Sequence, residues 1–291
     1  CHYIEAVLLL RKAILTNSLL YSAEAWSNIS NKEIKRLEQV DSALLRALHK
    51  GHSKTSIIFH HLENGTLMLR HMLMINRLMY HHHIVTRNKE ELIYKIYKKQ
   101  SEEPLKGDWT TLLKKDFEFI GIDRNDQEIS STPREVYRKK IKKLVEASAF
   151  TYMMKHKEGL TKLSETKYNK LGLQSYLRNP TFSREEQNLL YALRSRSHPA
   201  KSNYKKMHLN GLKCSFGCNN DENQYHIFQQ CKFLKSNKNE DVYTNIFGEE
   251  ICQKEAITKL LVIENRRLYI LSKVSERNTL PGGQRPGPLL V

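Results

Sequence analysis

The chain has 291 residues, enough for one large core or two modest ones, and its 27% charged and 40% hydrophobic residues are a balance that folds in water. A formal net charge of +17 points to a polyanionic partner, nucleic acid before an acidic membrane surface. No run approaches the roughly 20 apolar residues of a membrane helix. Five cysteines, an odd number without a secretory signal, suit a reducing, intracellular compartment, nucleus or cytoplasm.

Three- and four-residue spacing of apolar side chains predicts helices throughout and no strand series, so the fold class is all-α. Residues 3–27 read as one helix with Ile4, Val7, Leu8, Ile14, Leu19 and Leu20 apolar. Ser30 with Glu33 forms a capping box for the next helix, whose stripe is Ile34, Leu37, Val40, Leu44, Leu45 and Leu48. Gly51 stops it. Short and longer helices follow over 55–62 and 67–86, separated by Gly65, and Asn88 with Glu91 caps another to about Lys99. His60, His61 and the run His81–His83 invite a metal reading, but adjacent helical residues diverge and no set of acidic or cysteine partners accompanies them. They read as packing and surface histidines.

Pro104 to Gly107 is a linker candidate, and Asp108 caps a helix to Ile120 closed by Gly121. Thr132-Pro133-Arg134-Glu135 is a strong helix start, with Pro at the first helical position. The helix it opens carries Tyr137, Ile141, Leu144, Val145, Ala149 and Tyr152 on one side. Arg134, Arg138, Lys139, Lys140, Lys142 and Lys143 fill the rest, a rail suited to phosphates. Tyr168, Tyr176 and Phe182 stand among basic residues, where core is the favoured reading over base stacking. Ser183 with Glu186 starts a further helix. The basic segment after it supplies Arg194, Arg196, Lys201, Lys205, Lys206 and Lys213 as further candidate phosphate contacts. Between Thr132 and Lys213 there are 19 Lys/Arg against 6 Asp/Glu, so the charge is localised. Lys254 to Val274 suggests a last helix, and a Pro/Gly-rich tail over 276–291 reads as disordered.

The stretch CSFGCNNDENQYHIFQQC places Cys214, Cys218, His226 and Cys231 in a C-x3-C-x7-H-x4-C array. Three thiolates and one imidazole make a closed tetrahedral set for structural zinc, with no position left for a substrate water. Gly217 lets the first turn bend sharply, and a short helix presents His226 and Cys231. Cys1 and Cys252 have no partner motif. There is no Gly-rich phosphate loop, G-x-S-x-G or H-E-x-x-H, and no catalytic constellation is visible.

Three stretches in order, ILTNSLLYSAEAWSNISNKEIKRLEQVDSALLRALHK, PLKGDWTTLLKKDFEFIGI and LLYALRSRSHPAKSNYKKMHLNGLKC running into the Cys/His array, give a family resemblance. The chain resembles the C-terminal portion of non-LTR (LINE-type) retrotransposon reverse transcriptases over most of residues 4–270. The resemblance implies a helical thumb-like region over 1–100, a basic helical linker domain over 101–213 and a CCHC zinc knuckle over 214–231; the residue pattern after it adds a C-terminal helical segment over 232–275. The resemblance also implies that the catalytic palm, with its Y-x-D-D turn, lies upstream; this chain contains no such turn. The implied partners are RNA or DNA and the polymerase core of the same polyprotein, with no membrane and no small-molecule substrate. Many relatives have two residues between the first two cysteines, and this chain has three. The rival expectation is a host-adopted helical adaptor whose zinc module binds protein.

Overall fold

The computed structural model describes residues 3–26, 29–53, 55–105, 107–160, 163–203, 211–234, 243–248 and 254–278. It is all-α: among these residues there is no strand, only an isolated antiparallel bridge between Lys213 and Asp221. None of the described helices is long and apolar enough to cross a membrane. The chain forms two compact units, Cys1–Pro180 and Thr181–Val291, so the boundary falls inside the predicted linker region.

The first unit begins with α1 (Tyr3–Leu10), a π turn over Arg11–Thr16 and α2 (Asn17–Leu19), where one uninterrupted helix is expected. Of its expected apolar stripe Ile4 and Leu20 are buried, Val7, Leu8 and Leu19 are half-buried and Ile14 is exposed, while the polar Arg11 and Thr16 are buried among them. The reason lies across the packing interface. In α3 (Asn31–Leu48) the buried face holds Glu38 and Asp41 beside Leu45 and Leu48, and Val40 of the expected stripe is exposed. Arg11 grips Asp41 with two hydrogen bonds of 2.7 and 2.5 Å. The bidentate fork satisfies both groups where water cannot reach. The capping box is present, with Ser30 N–H donating to Glu33 Oε2 at 2.7 Å.

After α4 (Ile57–Asn64) comes α5 (Leu69–Val85), the helix around which the unit is built. Arg70 pairs with Glu38 of α3 at 2.7 Å, and Arg77 with Asp116 of α7 (Trp109–Ile120) at 2.7 Å. Leu78 meets Leu113 and Phe117 of α7, Tyr97 of α6 (Leu92–Glu102), Ile129 of α8 (Asp126–Ser131), and Tyr137, Ile141 and Val145 of α9 (Arg134–Glu158) in one core cluster. Pro133, not Thr132, holds the N-cap position of α9. Glu63 of α4 is fully buried and accepts the hydroxyls of Tyr168 and Tyr176 at 2.7 and 2.6 Å. These tyrosines are core. Gly65 ends α4 at φ +61°, and a Cβ there would lie 2.2 Å from the carbonyl carbon of Gly172. The position therefore needs glycine both for its backbone and for its space.

The histidines divide by face. His60, His61, His81 and His82 are buried and His83 is exposed, so most are packing residues and not surface charge. The second unit contains α11 (Arg184–Arg194), opened by a Ser183–Glu186 capping box, and α12 (Lys254–Asn278), which runs past its expected end. Leu189, Leu190, Leu193, Ile257 and Leu260 are buried on these two helices. A short helix α10 (Ser175–Arg178) belongs to the first unit. The tail beyond Asn278, Cys1 and Cys252 lie outside the described residues.

Candidate metal centre and basic helix

The metal-ligand spacing resolves into two local structures. A tight hairpin carries the first two cysteines: Glu222 N–H donates to Leu212 O at 2.6 Å and Cys214 N–H to Asn220 O at 3.0 Å. Gly217 takes φ +87° within it, which accommodates the three residues between Cys214 and Cys218. The second pair sits on a π turn, His226–Gln230, closed by Cys231 N–H donating to His226 O at 2.7 Å. Residues five apart are displaced by about 140° on an α-helix but return close to one face where the bonds run from i to i+5. The π turn thus turns His226 and Cys231 toward the hairpin. Asn223 Oδ1 accepts His226 N–H at 2.7 Å and fixes the start of that turn.

Ligand atoms of Cys214, Cys218, His226 and Cys231 all lie within 4.8 Å of one another, close enough to hold a metal ion. Cys231 Sγ is 4.0 Å from Cys214 Sγ and 3.8 Å from Cys218 Sγ. A disulfide requires about 2.0 Å, so all three are thiols. Metal–thiolate bonds of about 2.3 Å at tetrahedral angles give sulfur–sulfur edges of about 3.8 Å, which fits. Both ring nitrogens of His226 are buried without a hydrogen-bond partner, which suits one of them to be a metal ligand. Hydrogen bonding from Cys231 holds the Cys214 thiol down to about 5 and pushes that of Cys231 up, so one thiolate forms in the pair readily.

The sequence-predicted phosphate contacts separate sharply. On α9, Arg134, Arg138, Lys139, Lys140, Lys142 and Lys143 are all exposed. Lys140 is paired with Glu128 at 3.0 Å and Lys142 with Glu146 at 3.7 Å. Arg134, Arg138, Lys139 and Lys143 have no ion pair among the described residues. They are the free cations.

The second basic segment is different. Arg194 is fully buried, and its guanidinium donates to the carbonyls of Ile246 and Gly248 at 2.5 and 3.0 Å. It is a structural residue, because those carbonyls have replaced solvent, and the expectation of a surface contact is corrected. Arg196, half-buried at φ +54°, lies 4.5 Å from the Phe247 ring centroid and donates to Gln224 and the Tyr243 hydroxyl. Lys201 donates to Lys213 O at 2.6 Å, and exposed Lys213 to Asn219 O at 2.8 Å. Lys205 and Lys206 lie outside the described residues. Sequence alone could not find the jobs of Arg194 and Arg196, because their acceptors lie tens of residues away.

The fold and site define an all-α protein with a Cys3His centre able to hold a metal ion. No known protein family, characterised protein or solved structure matches the chain.

Proposed function

We propose that this chain is a nucleic-acid-binding, zinc-binding C-terminal portion of a LINE-type reverse transcriptase polyprotein, one that holds no polymerase catalytic motif. The observation that carries the binding reading is the set of unpaired, exposed cations on α9. Arg134 and Arg138, and likewise Lys139 and Lys143, are four residues apart, and each pair spans about 6 Å of helix axis. The two pairs lie about 140° apart around the helix, so each flank can neutralise successive phosphates without needing to read bases. Zinc is the metal proposed for the Cys3His set, since three thiolates and an imidazole in closed tetrahedral array suit its size and borderline softness. Its role is structural; the polymerase chemistry belongs to the palm that the resemblance places upstream.

The test is binding of RNA and of DNA by the purified chain as a function of salt, with zinc content measured alongside. Four phosphate contacts predict a slope of log K against log salt of about −3 to −4. Cys218→Ser is expected to lose zinc and to weaken binding. A zinc-loaded, folded protein that binds neither nucleic acid at low salt would overturn the reading. A second reading, a helical adaptor for a protein partner, draws on the exposed Tyr3, Leu9, Leu10, Ile14 and Tyr21 at the start of the chain. It predicts no salt-dependent nucleic-acid binding and a defined protein partner.

A further inference from the structure

The metal ligands and the far half of α12 are distant in sequence, yet one buried carboxylate reaches both. Glu222 lies between Cys218 and His226 and is 2% exposed. Its Oε2 accepts the backbone N–H of Ser215, the residue after Cys214, at 2.8 Å. Its Oε1 lies 4.0 Å from Nη2 of Arg267 on α12, which is 3% exposed. Arg267 also donates to Glu264 at 3.0 Å and to Pro199 O at 3.0 Å. Glu264 in turn is 2.9 Å from His198 Nε2. The His198 ring meets Phe228, inside the π turn between His226 and Cys231, edge-on at 5.1 Å. Two routes therefore lead from the ligand-bearing segments to Glu264 and Arg267.

The near half of α12 is held by other means. Ile257 and Leu260 are buried, and Thr258 donates to Glu186 of α11 at 2.9 Å. Nothing in that contact depends on the metal ligands.

We propose that metal binding at Cys214, Cys218, His226 and Cys231 orders the far half of α12, with Glu222 and Arg267 as the positioning residues that transmit it. The inference rests on the metal reading of the site and goes beyond it, because a centre of eighteen residues would govern a helix that supplies no ligand. The physical reason is charge burial. Arg267 is stable out of water only while its acceptors are in place, and the place of Glu222 is set by the ligand turn. Released from metal, the stretch 214–225 has little apolar surface to hold it together, and the guanidinium loses a counter-charge. Coupling of this kind is reciprocal: a change on α12 weakens metal binding by the factor by which metal stabilises α12.

The experiment uses the full chain loaded with Zn2+, a competing chelator and amide hydrogen exchange. Removing zinc is expected to speed exchange of residues 264–273 at least tenfold and to leave 256–261 protected. Glu222→Gln and Arg267→Met are each expected to weaken zinc binding by about tenfold to a hundredfold. The double variant should be no worse than either single one, because one link is cut twice. Arg267→Lys should recover part of the affinity, and Tyr269→Ser, on the exposed side of α12, should leave it unchanged. If Arg267→Met loses the helix altogether, the isosteric Glu222→Gln carries the same test. A chain that binds one zinc but shows unchanged exchange over 264–273 after chelation overturns the coupling and leaves the metal centre standing. A chain that binds no zinc overturns both.

Discussion

Two histidines make the first unit acid-sensitive in a pH range where ordinary carboxylates are silent. His60 and His71 are buried, and desolvation holds each imidazole down to about 3, with Arg46 and Arg70 adding repulsion. His61 is also held well below its usual value by burial, with Arg11 nearby and its Nε2 3.8 Å from Asp41. In the unfolded chain a histidine takes up its proton near pH 6.5. Below that pH the unfolded state binds protons that the folded state refuses, so stability is full above pH 6.5 and falls as the pH drops. Each refused proton is worth about 1.4 kcal/mol per pH unit. Between pH 7.5 and 5.0, His60 and His71 together cost about 4 kcal/mol, a large share of a domain's usual 5–15 kcal/mol. Burial raises Asp41 and Asp116, an effect of opposite sign that wild type and a histidine variant share, so it cancels when the two are compared. Both tryptophans, Trp26 and Trp109, lie in the first unit, so urea unfolding followed by tryptophan fluorescence reports on it. The control is His71→Phe. The ring stacks on Phe119 at 5.6 Å and meets Tyr152 edge-on at 5.5 Å, and neither ring nitrogen has a hydrogen-bond partner. Phenylalanine keeps the packing and should remove about one proton from the pH slope, raising stability at pH 5 by about 2 kcal/mol relative to wild type. An unfolding free energy that is flat from pH 7.5 to 5 would refute the reasoning.

Gly65→Ala should destabilise the first unit by several kcal/mol, since left-handed backbone and a 2.2 Å approach to Gly172 act together. Gly121→Ala, at φ +69° with nothing within 4 Å, should cost only about 1 kcal/mol by the same urea assay. Arg194→Met should lower the melting temperature of the second unit and leave the salt slope of nucleic-acid binding untouched, because the lost bonds are to buried carbonyls. Lys139→Gln with Lys143→Gln should do the reverse, reducing that slope by about two with stability within about 0.5 kcal/mol of wild type.

Local features were legible where the physics is local. The Ser30–Glu33 and Ser183–Glu186 boxes depend on side chains three residues apart, the stops at Gly65 and Gly121 on a single left-handed glycine, and the structure has them. The metal-ligand set was legible for the same reason, since its four members fall within eighteen residues. The break of the first helix into a π turn at Arg11–Thr16 was not. It accompanies an ion pair with Asp41, thirty residues on, that no periodicity records.

The sequence by itself determined the helical class, most helix ends and the Cys3His array, because each follows from spacing along the chain. Only the tertiary structure decided what the charges do. A count of Lys and Arg cannot tell Arg194, enclosed by the 246–248 carbonyls, from Lys139, exposed without a partner. Nor can it show that Glu38, Asp41 and Asp116 are turned inward to meet arginines from other helices. Net charge is a sum over the chain, whereas burial and pairing arise when segments far apart in sequence exclude water from one another.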